Sequence, residues 1–293
     1  MTLKIKKIIV TWFLSVFLFF SVVAGACAYS SILAFGDSLS DNGYYEGYYG
    51  GTPGNTNPAD IYGFQRFSDG PVWVEYLASS YGLSLMDMAY GGATSGWDNP
   101  AAGLPIYGLQ WQVDTYIDNF GTISSDTLIT VWAGGNDMLN YASDPLLYNP
   151  LNAAANVALA IQTLINEGGA NFIVPNLSWA YIDPSLQTGA QSWIQPFNMV
   201  LAVYLENLDA IPGINIYAID LTQLSYTGLN PNGSVTNPDG EEGPFARYDS
   251  IHPSTAGHQQ IAAYIVSQVP EPATVILLII SLAGLAGVRK RMR

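Results

Sequence analysis

Ser38 sits in the run Phe35-Gly36-Asp37-Ser38-Leu39-Ser40-Asp41-Asn42-Gly43, directly after the apolar stretch Ser31-Ile32-Leu33-Ala34-Phe35. A serine hydroxyl is a weak nucleophile until a base takes its proton. The chain holds two histidines, His252 and His258. His252 follows an acid in Asp249-Ser250-Ile251-His252-Pro253. That spacing lets the Asp249 carboxylate meet one ring nitrogen on a single turn, which leaves the other nitrogen for Ser38. His258 has no acid at matching spacing and reads as an ordinary helix residue with a structural hydrogen bond. Charge that builds on a carbonyl oxygen under attack needs donors already in place. Gly92, in Tyr90-Gly91-Gly92-Ala93-Thr94, offers a backbone N–H with no side chain to block approach. Asn136, in Gly134-Gly135-Asn136-Asp137, offers a side-chain amide, and Ser38 its own N–H. Each short run alone is common turn chemistry. As a set they describe acyl transfer through a serine.

Such residues work only if folded elements bring them to one place. Ser31 to Phe35 reads as a buried strand. A helix is expected from Pro71, with Asp69 near its cap, to Tyr81, then a short strand from Leu83 to Ala89. Gln110 to Asn119 suggests a second helix, and Thr127 to Ala133 a strongly apolar strand. Leu151 to Glu167 is alanine-rich and helical, Asn171 to Val174 a strand, and Gln191 to Asp209 a helix interrupted by Pro196. Ile214 to Asp220 is the last strand and Ser254 to Gln268 the last helix, with an irregular insertion from Thr222 to Tyr248 between them. Strand and helix alternate about five times, which argues for an α/β fold with a parallel sheet covered on both faces. In such sheets ligands meet the carboxyl ends of the strands. Ser38, Gly92 and Asn136 all follow strands.

Charge and composition narrow the class further. The net charge is −14 over 293 residues. Between Tyr29 and Gln268 the basic residues are Arg66 and Arg247; against 22 acids they leave −20. Such a surface repels nucleic acid and anionic membranes. The acidic tip Asp239 to Glu242 reads as a solvated loop. The tyrosine-rich loop around residues 43–51 reads as a surface segment packed by its own aromatics, with rings that could also stack on sugar or an acyl chain. Cys27 is the one cysteine, so no intrachain disulfide and no cysteine-based metal site can form.

The two ends differ from the middle. Residues 1–28 read as a secretory signal: Lys4, Lys6 and Lys7, then apolar Ile8 to Val23, then small residues suited to a signal peptidase after Ala28. Lipidation at Cys27 is the rival reading. Residues 29–268 form the candidate catalytic domain. In 269–293, Pro270-Glu271-Pro272 precedes an apolar segment at 273–288 and the basic end Arg289-Lys290-Arg291-Met292-Arg293. That segment is slightly short of the ~17–25 residues of a stable membrane span. The order of these parts resembles the PEP-CTERM sorting tag of exopolysaccharide-producing Gram-negative bacteria. The resemblance implies an exosortase as processing partner, transient insertion in the inner membrane through the C-terminal helix, and delivery to the cell surface or matrix. A plain C-terminal anchor is the alternative.

Taken together, the internal blocks resemble a GDSL-type esterase/lipase of the SGNH hydrolase family. Gly36-Asp37-Ser38-Leu39 is similar to the first block, Gly92 falls in the second, Asn136 in the third, and Asp249 with His252 in the last. Arg66-Phe67-Ser68-Asp69-Gly70 with Trp73 and Val174-Pro175-Asn176-Leu177 resemble the branch with long inserts. The second block departs from the commoner pattern by opening on Asp87 where asparagine is usual, which leaves Gly91 beside Gly92 as donor. The resemblance implies a three-layer α/β/α sandwich with a mostly parallel five-stranded sheet, flavodoxin-like. It implies Ser38 as nucleophile, His252 as base, Asp249 as its orienter, and Ser38, Gly92 and Asn136 as oxyanion hole, with no metal or organic cofactor. The implied substrate is a carboxylic ester: lipid, short-chain ester or acetylated glycan. A matrix-binding protein that keeps the fold without the chemistry is the rival class.

Overall fold

Strand β1 (Ser31–Gly36) lies inside the sheet because its residues from Ile32 onward are all buried. The computed structural model describes residues 29–43, 66–102, 105–178, 184–224 and 251–269. Asp249, the tyrosine-rich loop, the acidic tip, and both end segments apart from Tyr29 and Val269 lie outside the described residues. After β1 come α1 (Trp73–Tyr81), β2 (Ser84–Asp87), α2 (Leu109–Phe120), β3 (Thr127–Trp132), α3 (Gly135–Asn140) and α4 (Pro150–Asn166). They are followed by β4 (Asn171–Pro175), α5 (Pro184–Asp209), β5 (Asn215–Ile219) and α6 (Thr255–Gln268). Ser30–Val269 packs as one unit.

The five strands form one sheet in the order β2-β1-β3-β4-β5, with every pairing parallel. The crossover from β1 to β2 runs one way and the later ones run the other. Right-handed connections therefore put α1 on one face and α2, α4 and α5 on the opposite face. The packing agrees: α1 lies against α6, while α4 lies against α2 and α5. This is the expected three-layer α/β/α sandwich, with a sheet wholly rather than mostly parallel. The order reverses at β1, so a crevice opens at its carboxyl end between the β2 and β3 loops. Ser38 is two residues beyond that end.

Local chemistry accounts for the element ends. Asn149 caps α4 by accepting from the Leu151 and Asn152 N–H groups at 3.1 and 2.9 Å. Helix α1 begins at Trp73, and its cap residue is Val72, whose N–H donates to Glu75 at 2.9 Å. Asp69 does not cap α1. Its carboxylate accepts the Thr255 N–H at the start of α6, at 2.7 Å. Thr255 Oγ1 donates to the Pro71 carbonyl at 2.9 Å and meets the Tyr76 hydroxyl at 2.7 Å. The starts of α1 and α6 are thus tied together, which fixes the segment that carries His252. Helix α3, short and begun at a glycine, is absent from the sequence expectations because Gly134-Gly135-Asn136-Asp137 has the composition of a turn.

Candidate active site

The turn after β1 is held from three directions. Gly36 can have no side chain: a Cβ there would lie 2.4 Å from the Trp132 carbonyl oxygen. Gln112, fully buried on α2, clamps the same residue, accepting its N–H at 3.0 Å and donating to its carbonyl at 2.8 Å. From the other side Trp73 of α1 donates its indole N–H to Ser40 Oγ at 3.1 Å and packs edge-on against Trp132. Within the turn, Asp37 accepts the Leu39 N–H at 3.0 Å, and the Asp37 carbonyl accepts from Ser40 and Asp41.

Ser38 is thereby presented to His252. The distance from His252 Nε2 to Ser38 Oγ is 2.7 Å, and both side chains are largely buried. Phe67 lies over the imidazole, with ring centroids 5.3 Å apart and 31° between planes. The pair has the geometry for proton transfer from hydroxyl to imidazole.

The three expected donors differ in what the structure shows. Asn136 lines the same cleft as Ser38 and His252. Its Nδ2 donates one hydrogen to the Ala93 carbonyl at 3.0 Å, which orients the amide and leaves its second hydrogen. Gly92 precedes Ala93 and is not among the described residues lining the cleft. Its φ of +84° and the nearness of Asn99 (a Cβ would fall 2.4 Å from Asn99 Oδ1) both require glycine there. Neither Ser38 nor Gly92 makes a hydrogen bond through its N–H among the described residues. Gly91, by contrast, donates its N–H to Asp41 at 2.7 Å. That bond occupies the Gly91 N–H, whereas the Gly92 N–H has no partner among the described residues.

Around these groups lie buried carboxyls to which the sequence assigned no role. Burial pushes Asp37 up to about 7, Asp137 adds to the rise, and the Leu39 N–H and His252 oppose it. Burial likewise pushes Asp137 up to about 6, against the Ser95 hydroxyl and N–H that it accepts at 2.7 and 2.8 Å. Through Ser95, Asp137 joins α3 to the loop after β2. Burial and then Asp41 push Asp87 well above the usual carboxylate range. His258 is fully buried on α6, and neither ring nitrogen has a hydrogen-bond partner among the described residues. The expected structural hydrogen bond is missing, and burial, with His252 second, pushes the ring down to about 3.

The cleft at Ser38 has about 40 Å³ of free volume and a mainly apolar wall of Leu39, Met138, Leu139, Leu177, Ile194 and Ile251. Met138, Leu139 and Ile251 also line an adjoining groove of about 390 Å³, backed by Tyr141, Pro150, Ala190 and Trp193.

This fold agrees with sequence relationships that cover most of the chain. The chain belongs to the GDSL-like lipase/acylhydrolase family, whose profile matches residues 32–265. Residues 268–292 match the PEP-CTERM protein-sorting motif, which marks the chain for export and surface sorting in Gram-negative bacteria. A phosphatidylcholine-sterol acyltransferase of Aeromonas hydrophila is 36% identical over 118 residues, covering 39% of this chain and 34% of that protein. A thermolabile hemolysin of Vibrio parahaemolyticus is 28% identical over 273 residues, covering 80% of this chain and 62% of that protein. The chain thus matches about a third and about three-fifths of the lengths of these two relatives. Among solved structures, a catalytic variant of an acetylxylan esterase from Geobacillus stearothermophilus shares the fold. Its TM-score is 0.51 at 15% identity, with 82% of this chain and 94% of that one covered.

Proposed function

We propose that this protein is a surface-sorted serine ester hydrolase. The observation that carries the proposal is the 2.7 Å contact between His252 Nε2 and Ser38 Oγ at the carboxyl end of β1. Ser38 Oγ attacks the ester carbonyl carbon while His252 Nε2 takes its proton. The tetrahedral oxyanion is met by the Ser38 and Gly92 N–H groups and by Asn136 Nδ2. Collapse expels the alcohol, which leaves with the proton held by His252, and an acyl-enzyme remains. Water then attacks the acyl carbon, gives its proton to His252, and the acid departs as Ser38 Oγ regains a proton. Asp249 is assigned the role of orienting His252, on sequence grounds. Exosortase is the proposed processing partner, with cleavage near Pro270-Glu271-Pro272 and transient insertion of 273–288 in the membrane.

The apolar wall of the cleft and its continuation past Met138, Leu139 and Ile251 favour an ester whose acyl chain is longer than acetyl. One observation favours O-deacetylation of surface polysaccharide instead: the free space directly beside Ser38 is small, about 40 Å³. A series of p-nitrophenyl esters from acetate to dodecanoate, together with acetylated glycans, separates the two. Octanoate turned over faster than acetate supports the acyl-chain reading. Confinement to acetyl esters supports deacetylation. A wild-type chain that hydrolyses none of them and resists a fluorophosphonate probe is a binding protein.

A further inference from the structure

Asp41 and Asp87 stand beside the proposed site, take no part in the proton transfers, and are almost fully buried. Asp41 belongs to the loop after β1 and Asp87 to the end of β2. Each carboxylate bonds its own loop and the other one. Asp41 accepts the Gly43 N–H at 2.8 Å and, across the gap, the Gly91 N–H at 2.7 Å. Asp87 accepts the Ala89 N–H at 3.0 Å and, across the gap, the Asn42 N–H at 3.1 Å. Bonding between the β1 and β2 backbones extends beyond the strands through Met88 N–H to the Ala34 carbonyl and ends with Tyr90 N–H on the Gly36 carbonyl at 3.1 Å. Past that point the described backbones are joined by carboxylates instead.

Asn99 completes the arrangement. Its Nδ2 donates to the Gly91 carbonyl at 2.8 Å. In a planar trans peptide, that carbonyl and the Gly92 N–H point in opposite directions. Holding the Gly91 carbonyl therefore aims the Gly92 N–H. Asp41 holds the preceding peptide through the Gly91 N–H, so the turn cannot rotate about either side of Gly91. The site also leaves no room for a side chain at Gly91: a Cβ there would fall 2.1 Å from Phe67 Cε2, and Phe67 packs on His252. A shift at Gly91 would disturb the donor and the base together.

We infer that Asp41, Asp87 and Asn99 are positioning residues that lace the Ser38 loop to the Gly92 loop and set the aim of the Gly92 N–H at the developing oxyanion. This rests on the ester-hydrolase reading above. Burial and then the neighbouring Asp41 carboxylate raise the Asp87 carboxyl well above its ordinary range. Arg66, paired to Glu75 through two nitrogens at 2.6 and 2.5 Å, is a cation whose charge is felt by both acids.

The test uses the full chain with Asp41→Asn and Asn99→Ala, p-nitrophenyl butyrate as substrate, and an alkyl trifluoromethyl ketone. The ketone adds Ser38 Oγ to its carbonyl carbon and places an oxyanion where the transition state has one. Because a lost aim acts in the transition state only, kcat is expected to fall about 100-fold while KM stays within about threefold. The inhibition constant of the ketone should rise by a matching factor. A kcat within threefold of wild type in both variants overturns the inference. So does a lower kcat with unchanged ketone affinity, which would mark a merely structural role. If Asp41→Asn lacks a cooperative melt, Asn99→Ala and Asp87→Asn are judged by the same two readouts. An active wild type with indifferent variants defeats the lacing alone, whereas a wild type that neither hydrolyses esters nor binds the ketone defeats the ester-hydrolase reading as well.

Discussion

His252 and His258 show how position decides what one side chain can do. His252 precedes α6 and reaches Ser38, 214 residues away in sequence. His258 is buried in the core on α6, with both ring nitrogens unpaired among the described residues. An unpartnered buried polar atom costs about 1–3 kcal/mol. His258→Leu should therefore raise the melting temperature, by the equivalent of about 1 kcal/mol, and leave ester turnover within a few-fold of wild type. A lower melting temperature would show that the imidazole contributes something the leucine cannot. Asp37 and Asp137 carry the opposite imprint of burial, pushed up to about 7 and about 6. Between their unfolded value near 3.8 and these raised values, the folded chain binds protons that the unfolded chain has released. Their contribution is thus fully present below pH ~4 and is lost as the pH rises through about 6 to 7. Denaturant unfolding at pH 5 and pH 8 should show Asp37→Asn losing less stability than wild type between the two, by a few kcal/mol at most. Parallel losses would mean that Asp37 is ionised in the folded chain throughout.

Individual elements were legible in the sequence where one physical signal dominated. Strand β3 is apolar and fully buried, and its reading from Thr127 needed no tertiary information. The same holds for β1, whose apolar run stops at a glycine that contact with Trp132 requires. Helix α4 was legible through its alanine-rich pattern, although its Asn149 cap was not singled out. Elements set by distant contacts were hidden. Asp69 reads from the sequence as lying near the cap of α1, yet bonds Thr255, 186 residues further on. Gln112 looks like any polar residue of an amphipathic helix, yet clamps Gly36 from 76 residues away. Helix α3 was hidden because Gly134, at φ +116°, turns a loop-like sequence into a helix start. Of the candidate site, the structure brings Ser38, His252 and Asn136 into one cleft, places Gly92 one residue from the Asn136 contact, and leaves Asp249 outside the described residues. The resemblance named Gly92 with Gly91 beside it, and the sequence could not show that the Gly91 N–H is already bonded to Asp41.

At the scale of the whole molecule, a strongly acidic domain carries a C-terminal sorting motif at residues 268–292. A net charge of that sign repels other anionic surfaces. The reversal of strand order at β1 opens one crevice at the carboxyl edge of the sheet, and the loops from β1, β2 and β3 converge there. The central claim is that Ser38, activated by His252, is the nucleophile of an ester hydrolase. It is tested most directly by the turnover of p-nitrophenyl butyrate by Ser38→Ala beside wild type, with circular dichroism to confirm that both are folded. The account predicts that the folded variant loses at least about 1000-fold in kcat. A folded Ser38→Ala that keeps the wild-type rate would contradict it.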